Sequence, residues 1–346
     1  MAKKEIIDLR SDTVTLPTEE MMEAIKQAKL GDDVFREDPT VNELEEIAAK
    51  KLGKQASLLV TSGTQANLIS LMANTNYGEQ VILEAESHIY WYEVGGVSTI
   101  AGLFPKTIKS KKGAPNPEDI QAAITPKDIH FPKTSLICIE NTHNRHGGTI
   151  ITPRQILSIS EIAKSNKLKL FMDGARIFNA AISLEVDVKK LTRNVDNLMF
   201  CLSKSLSCPI GSMIVGSNDF ISKARKIRKV LGGGMRQAGI IAAPGIVALE
   251  KMIDRLRVDH TNAKHLAKLL SKIEGLSIDQ NRVQTNIIMF KIENLEVSAK
   301  KFIRELEKEN IFALSLGKNT IRMVTHRGIE REHIEKTANV VANISK

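Results

Sequence analysis

The sequence predicts an α/β protein: a mainly parallel sheet with helices on both faces, followed by a small α+β unit at the C-terminal end. Three observations carry this. Apolar runs of strand length alternate with helix-period segments from Ser57 to Gly216, and such alternation builds parallel crossovers. His88, His143, Asp173 and Lys204 each follow one of those runs, and open parallel sheets bind ligands at the carboxyl ends of their strands. Beyond about Arg257 the chain becomes lysine-rich and reads helix, strand, helix, strand, helix. The expected division is 1–50 for an N-terminal segment serving site and interface, 51–257 for the large domain and 258–346 for the small one.

The bulk properties narrow the class. The chain has 346 residues, 42 % hydrophobic and 26 % charged, enough for a substantial core. Its net charge of +9 is spread along the chain, which suits an anionic ligand better than a nucleic acid. The densest cluster, Lys106 to Lys112, has no interleaved aromatics and is expected to be a solvated loop. Three cysteines, Cys138, Cys201 and Cys208, lack metal-ligand spacing and point to a reducing, cytoplasmic setting. No apolar stretch is long enough to cross a bilayer, and the stretch MAKKEIIDLR has no apolar signal region.

Taken in order, Ile7 to Thr15 is polar and without helical period. Thr18 is placed to cap a helix reaching about Leu30, with Met21, Met22, Ile25 and Ala28 on its apolar face. Gly31 to Pro39 is a loop, and Thr40 with Glu43 forms a capping-box pattern for a helix ending near Gly53. Ser57 to Val60 is a strand, after which Thr61-Ser62-Gly63-Thr64 opens a helix. Free N–H groups, hydroxyls and a positive dipole end at that turn suit a phosphate. The turn has neither GxGxxG nor GxxxxGK[ST], which disfavours dinucleotides and nucleoside triphosphates. Gln80 to Leu83 is a strand leading to His88, Tyr90, Trp91 and Tyr92, a group able to stack on a flat cofactor or simply to pack on the core. Ser135 to Ile139 is a strand ending in ENTHNRHGG, where His143 and His146 are spaced H-x-x-H. No further ligand lies near them in sequence, so no metal is expected.

Thr152-Pro153 starts a helix to about Asn166. Leu168 to Met172 is a strand ending at Asp173, and Leu198 to Cys201 is one leading to Lys204. A carboxylate at one strand end and a lysine beyond the next is the layout of a pyridoxal phosphate site. There the acid pairs with the pyridinium nitrogen and the amine forms the imine. Gly211 to Val215 is a strand, Asp219 to Val230 a basic helix, and LGGGMRQ a glycine-rich turn bearing Arg236. A long apolar helix is expected from Ala238 to about Arg257, and another around Leu266, Leu269 and Leu270.

These motifs together resemble the L-threonine aldolases of pyridoxal phosphate fold type I, close to the β-eliminating lyases. The likeness runs through DLRSDTVT, GDDV, EDPTVN, SGTQANL, EVGG, ENTHN, DGARIFNA, CLSKSL, RKVLGGGMRQAG and IRMVTH. It implies a seven-stranded-type sheet and pyridoxal 5'-phosphate bound in the large domain. The cofactor would be held by Ser62, Gly63, Thr64, His88, Asp173, Arg176, Ser203 and Lys204. Lys204 would form the internal aldimine, Asp173 would meet the ring nitrogen and His88 would stack on the ring. Ser11, Tyr92, Arg176 and Arg322 would face the substrate, Ser11 and the two arginines gripping its carboxylate. Lys229 and Arg236 would reach a neighbouring subunit of a homotetramer, Arg236 having the alternative of a local ion pair. The reaction implied is cleavage of L-threonine or L-allo-threonine to glycine and an aldehyde, with His88, His143 or a water between them as base. No nucleic acid, membrane or metal is implied.

The chain departs from the family's usual pattern at four places. Phe35 stands for Tyr, Arg36 for Gly, Phe171 for His, and Ser207-Cys208 for Gly-Ala. Arg36 opens the reading of a second anionic group on the substrate, against that of a surface arginine. β-Elimination or transamination on the same scaffold, and a non-catalytic cofactor-sensing regulator, are the competing readings. The regulator would carry an added DNA-binding module, for which a pattern starting at Ile7 leaves no room.

Overall fold

The computed structural model describes residues 5–293 and 297–345; the start of the stretch read for a signal, residues 1–4, lies outside them. A seven-stranded sheet forms the centre. Its order is Ala56–Val60, Ser212–Gly216, Asn197–Cys201, Lys169–Asp173, Thr134–Glu140, Gln80–Glu84 and Phe104–Ile108. Only Ser212–Gly216 runs antiparallel to its neighbours. The strands 80–84, 134–140, 197–201 and 212–216 are buried at every position, as a sheet covered on both faces requires.

The side-chain alternation of the strands feeds two separate cores. Leu170, Met172, Leu198, Phe200, Met213 and Val215 join helices Pro39–Leu52 and Pro153–Ser165 on one face. Phe171, Met199, Cys201 and Ile214 join helices Gly63–Asn74 and Asn218–Val230 on the other. Phe171 is wholly buried there. Where the resemblance implies a histidine, this chain has apolar packing and a side chain with no polar atom.

A third core belongs to the C-terminal part. Helices Leu256–Leu270, Ala299–Lys308 and Arg331–Ile344 cover an antiparallel sheet ordered Leu314–Ser315, Thr320–Val324, Ile287–Ile292, Leu276–Ser277. Ile7 and Leu9 are buried in this core, and the Ile7–Asp8 strand pairs in parallel with Ile311–Phe312. The chain's beginning is thus tied to its end.

Several local expectations change. The second helix is capped by Asp38, which accepts the Val41 N–H at 3.0 Å, while the Thr40 hydroxyl donates to the Lys29 carbonyl. Asp38 is preferred because its other oxygen also receives the Gly31 and Gly239 N–H groups. Lys106 lies in the strand Phe104–Ile108 rather than in a loop. An edge strand has one ladder to satisfy and one exposed side, so its lysine and Pro105 are tolerated. The first helix ends at Gln27, short of Leu30. The apolar helix from residue 238 is interrupted: Gly239–Val247 contains Pro244, a wider turn follows over Ala248–Met252, and Leu256–Leu270 runs through the expected 257/258 boundary.

Arg36 and Ser207 both have left-handed backbones, with φ of 62° and 67°. Glycine, the residue that the resemblance implies there, takes this conformation without a Cβ clash.

Candidate active site

The carboxyl ends of the central strands hold a connected polar network. Asp173, buried at the end of its strand, accepts the Ala175 N–H at 3.0 Å and the Asn67 amide at 2.8 Å. The same amide donates to Glu93 Oε1 at 2.7 Å, which also holds His88 Nδ1 at 2.9 Å. The His88 backbone N–H is anchored on Glu140 Oε2. Tyr92 leans over His88 with ring centroids 5.4 Å apart. Burial opposes the imidazolium of His88. The Glu93 hydrogen bond and the charges of Asp173 and Glu93 outweigh it and raise the pKa above the ordinary histidine value. Burial, helped by the charge of Asp173, likewise raises the carboxyl of Glu93.

Lys204 lies half-buried three residues beyond the strand Asn197–Cys201, in a turn closed by the Ser207 N–H on its carbonyl. The next residue, Ser205, donates to Asp12 at 2.6 Å, which ties this turn to the N-terminal segment. Ser203 beside it is half-buried. Ser62 caps the helix Gly63–Asn74 by accepting the Gln65 N–H at 3.1 Å. That leaves Gly63 and Thr64 as the first helical residues, at the end that attracts anions. A Cβ on Gly63 would lie 3.0 Å from Cys201 Sγ, so the bare backbone there permits close packing on the sheet.

Two buried arginines form the other wall. Arg176 Nε and Nη2 donate to the two Asp12 oxygens, each at 2.7 Å. Asp12 also accepts Ser205 Oγ at 2.6 Å and the Asn286 amide at 3.3 Å. Desolvation alone would raise the Asp12 carboxyl, but Arg176 holds it far below the usual carboxylate range. Two donors of Arg176 are therefore spent on Asp12, and Nη1 is the part outside this bidentate pair. Arg322 donates to the Arg10 carbonyl at 3.2 Å and to Asn144 Oδ1 at 2.9 Å; its buried Nε has no partner among the described residues. Burial and the nearby Arg176 charge lower its pKa to about 10. Ser11 caps the adjoining turn and accepts the Thr13 N–H.

Other residues lie apart. His143 is completely enclosed and its Nε2 is 2.9 Å from Glu84 Oε2, so in this conformation it opens onto no cleft. Lys229 and Arg36 line a separate groove with Glu45 and Arg225. Arg236 is exposed and pairs with Asp32 at 3.1 Å.

Sequence reasoning did not single out Asp12, Asn67 or Glu93. All three stood inside quoted motifs, Asn67 in SGTQANL. Asn67 lies one turn into a helix, where asparagine ordinarily signals nothing.

A parallel-centred sheet with a lysine and an acid beyond neighbouring strand ends defines the class, an α/β protein of fold type I. Its solved relatives in fold include Leishmania major threonine aldolase, with a TM-score of 0.85 and 19 % identity over 98 % of this chain and 100 % of that one. Sphingomonas wittichii serine palmitoyltransferase shares the fold at a TM-score of 0.76 and 16 % identity, over 98 % of this chain and 86 % of that one.

The family described as beta-eliminating lyase matches residues 8–294. Low-specificity L-threonine aldolase 1 of Arabidopsis thaliana is 45 % identical over 336 residues, covering 96 % of this chain and 94 % of that protein. The low specificity L-threonine aldolase of Escherichia coli is 38 % identical over 334 residues, covering 96 % and 97 %. The chain belongs to the beta-eliminating lyase family.

Proposed function

We propose that this chain is a pyridoxal 5'-phosphate-dependent aldolase that cleaves L-threonine and L-allo-threonine to glycine and acetaldehyde. The observation that carries the reading is the convergence of Asp173, His88 and Lys204 opposite the Arg176–Arg322 wall.

The residues fit the cofactor. Asp173 is a buried carboxylate whose oxygens, among the described residues, hold a backbone N–H and one amide, so it has room to accept a charged ring N–H. The Ser62–Thr64 helix end suits the phosphate, with Ser203 beside it, and Lys204 would hold the cofactor through its amine. Bound there, the ring would accept the electron pair left at Cα.

The chain's own residues supply the rest. The unpartnered Nε of Arg322, Nη1 of Arg176 and the Ser11 hydroxyl would fix the substrate carboxylate, and with it the orientation of the Cα–Cβ bond. Asp12 serves as a positioning residue that holds Arg176. His88 would take the β-hydroxyl proton at Nε2, because Nδ1 is held by Glu93. The enclosure of His143 argues against its direct contact with substrate. Tyr92, tethered by Arg145 at 2.9 Å, would wall the side-chain end.

Lys229 and Arg236, away from their own chain's cleft, would complete a neighbour's site in a homotetramer. Arg36 shares the groove of Lys229, so any influence on acidic substrates would act across that interface. Three buried free cysteines suit a cytoplasmic setting. Among the described residues no helix is long and apolar enough to cross a membrane.

The test is an assay of the cofactor-loaded protein with L-threonine and with L-allo-threonine. Equimolar acetaldehyde and glycine are expected. A 2-oxo acid with ammonia would replace the aldolase reading by elimination.

A further inference from the structure

A second histidine cluster lies beside the cleft. Glu84 ends the strand Gln80–Glu84, and the 140s loop brings His143 and His146 to it from the end of the neighbouring strand. His143 Nε2 is 2.9 Å from Glu84 Oε2. His146 Nε2 is 3.5 Å from Glu84 Oε1 and 3.4 Å from Glu86 Oε2. The last two distances are long for hydrogen bonds. Within the group Glu84, His143 and His146, whose ligand atoms all lie within 4.8 Å of one another, the 3.5 Å from His146 to Glu84 is close to the spacing of atoms that share one metal ion, about 3.3 Å for ligands on tetrahedral bonds of about 2.0–2.1 Å.

An independent observation points the same way. The His146 side chain is only 10 % exposed, and its Nε2, aimed between the two carboxylates, has no hydrogen-bond partner among the described residues. Burying such an atom unpaired is costly. We propose that Glu84, His143 and His146 bind one divalent transition metal of the zinc type. Two neutral imidazoles and a carboxylate are a common ligand set for zinc, with a fourth position left to solvent. The fold supplies the ligand that the H-x-x-H spacing lacked in sequence.

The surroundings provide access and support. A cleft of about 590 Å³ reaches His146 and Glu86 from outside. Glu86, held on its other oxygen by Arg145 at 3.3 Å, stands at the entrance. Glu84 is oriented by Ser110 Oγ at 2.9 Å and the Glu86 N–H. Gly113 lies so close over His143 that a Cβ would come within 2.5 Å of it, which seals the inner side. Arg282 Nη2 is 3.5 Å from His146 Nδ1. Metal on Nε2 would make Nδ1 a donor and turn that guanidinium away.

The site's effect is structural. It joins the strand end that leads to His88 with the loop whose Asn144 holds Arg322.

The test uses tag-free, cofactor-loaded protein, stripped with a chelator and titrated with Zn²⁺ by calorimetry, with metal content measured after dialysis. One Zn²⁺ per chain is expected, with visible absorption of the tetrahedral type when Co²⁺ replaces it. His146→Ala is expected to weaken Zn²⁺ binding at least about tenfold, circular dichroism confirming its fold. Glu84→Gln provides a second variant. Absence of stoichiometric uptake overturns the proposal. So does uptake that His146→Ala leaves unchanged, which would place the metal elsewhere, the cofactor's phosphate included.

Discussion

Two Glu–His groups stand at the ends of neighbouring strands, built from the same residue types and differently enclosed. In the first, His88 rests on Glu93, is bridged by Asn67 to Asp173, and keeps 31 % of its side chain exposed. In the second, His143 rests on Glu84 and has no exposure at all. The open group has an imidazole face and a free nitrogen to offer a ligand. The closed one has spent its exposure on packing and can serve only what fits inside it. Enclosure, more than residue type, separates a histidine open to a ligand from a closed one.

The largest effect expected is at the lysine beside the open group's strand end. Lys204→Ala should lower acetaldehyde release by on the order of 10⁴-fold and remove the visible absorption of the lysine-bound cofactor, with little change in the unfolding midpoint. A retained absorption band after dialysis would break the assignment of Lys204.

The two histidines should then respond oppositely. His88→Ala should cost on the order of 100-fold in kcat and little stability. His143→Ala leaves Glu84 without its buried partner and should cost about 3 kcal/mol of stability, read by urea unfolding. If His143→Ala folds as well as wild type and loses more kcat than His88→Ala, the distinction between the groups collapses.

The pH profile sharpens the open group further. As the proposed base, His88 must be neutral to take a proton, so activity should fall as pH drops through its raised pKa. Glu93→Gln removes a hydrogen bond and a charge that favour the imidazolium, and should move that acid limb to lower pH. An acid limb that stays put would assign the titration to another group.

The smallest effect is expected at the side chain that spans the two groups. Arg145 donates to Tyr92 beside His88 and to Glu86 beside His146, and its guanidinium lies 5.2 Å from the Trp91 ring centroid. Arg145→Ala should cost no more than about 1 kcal/mol of stability and raise KM for threonine several-fold with kcat nearly kept. A loss confined to kcat would mean that Arg145 acts on the chemistry and not on the wall.

Much of the fold was legible because strand–helix alternation and strand-end placement are local signals. The fully buried strands 80–84, 134–140 and 197–201 read as continuous apolar runs, and caps such as Thr18, Ser62 and Thr152 formed as their sequences imply. The edge strand Phe104–Ile108 was not legible, because an edge tolerates Lys and Pro that resemble a loop. Nor was the break within 239–252, where an unbroken apolar composition conceals Pro244 and a wider turn.

The sequence by itself determined the α/β class, the strand ends that bear His88, Asp173 and Lys204, and the family. Each follows from a pattern of near neighbours or from ordered motifs. Only the tertiary structure decided that Asp12 takes two of Arg176's donors, that Asn67 ties Asp173 to Glu93, and that Glu84 meets His143 and His146. Those contacts join residues 164, 106 and 59 positions apart. No local period records them, because the cost of burying each charge is met by a partner that the fold brings from elsewhere in the chain.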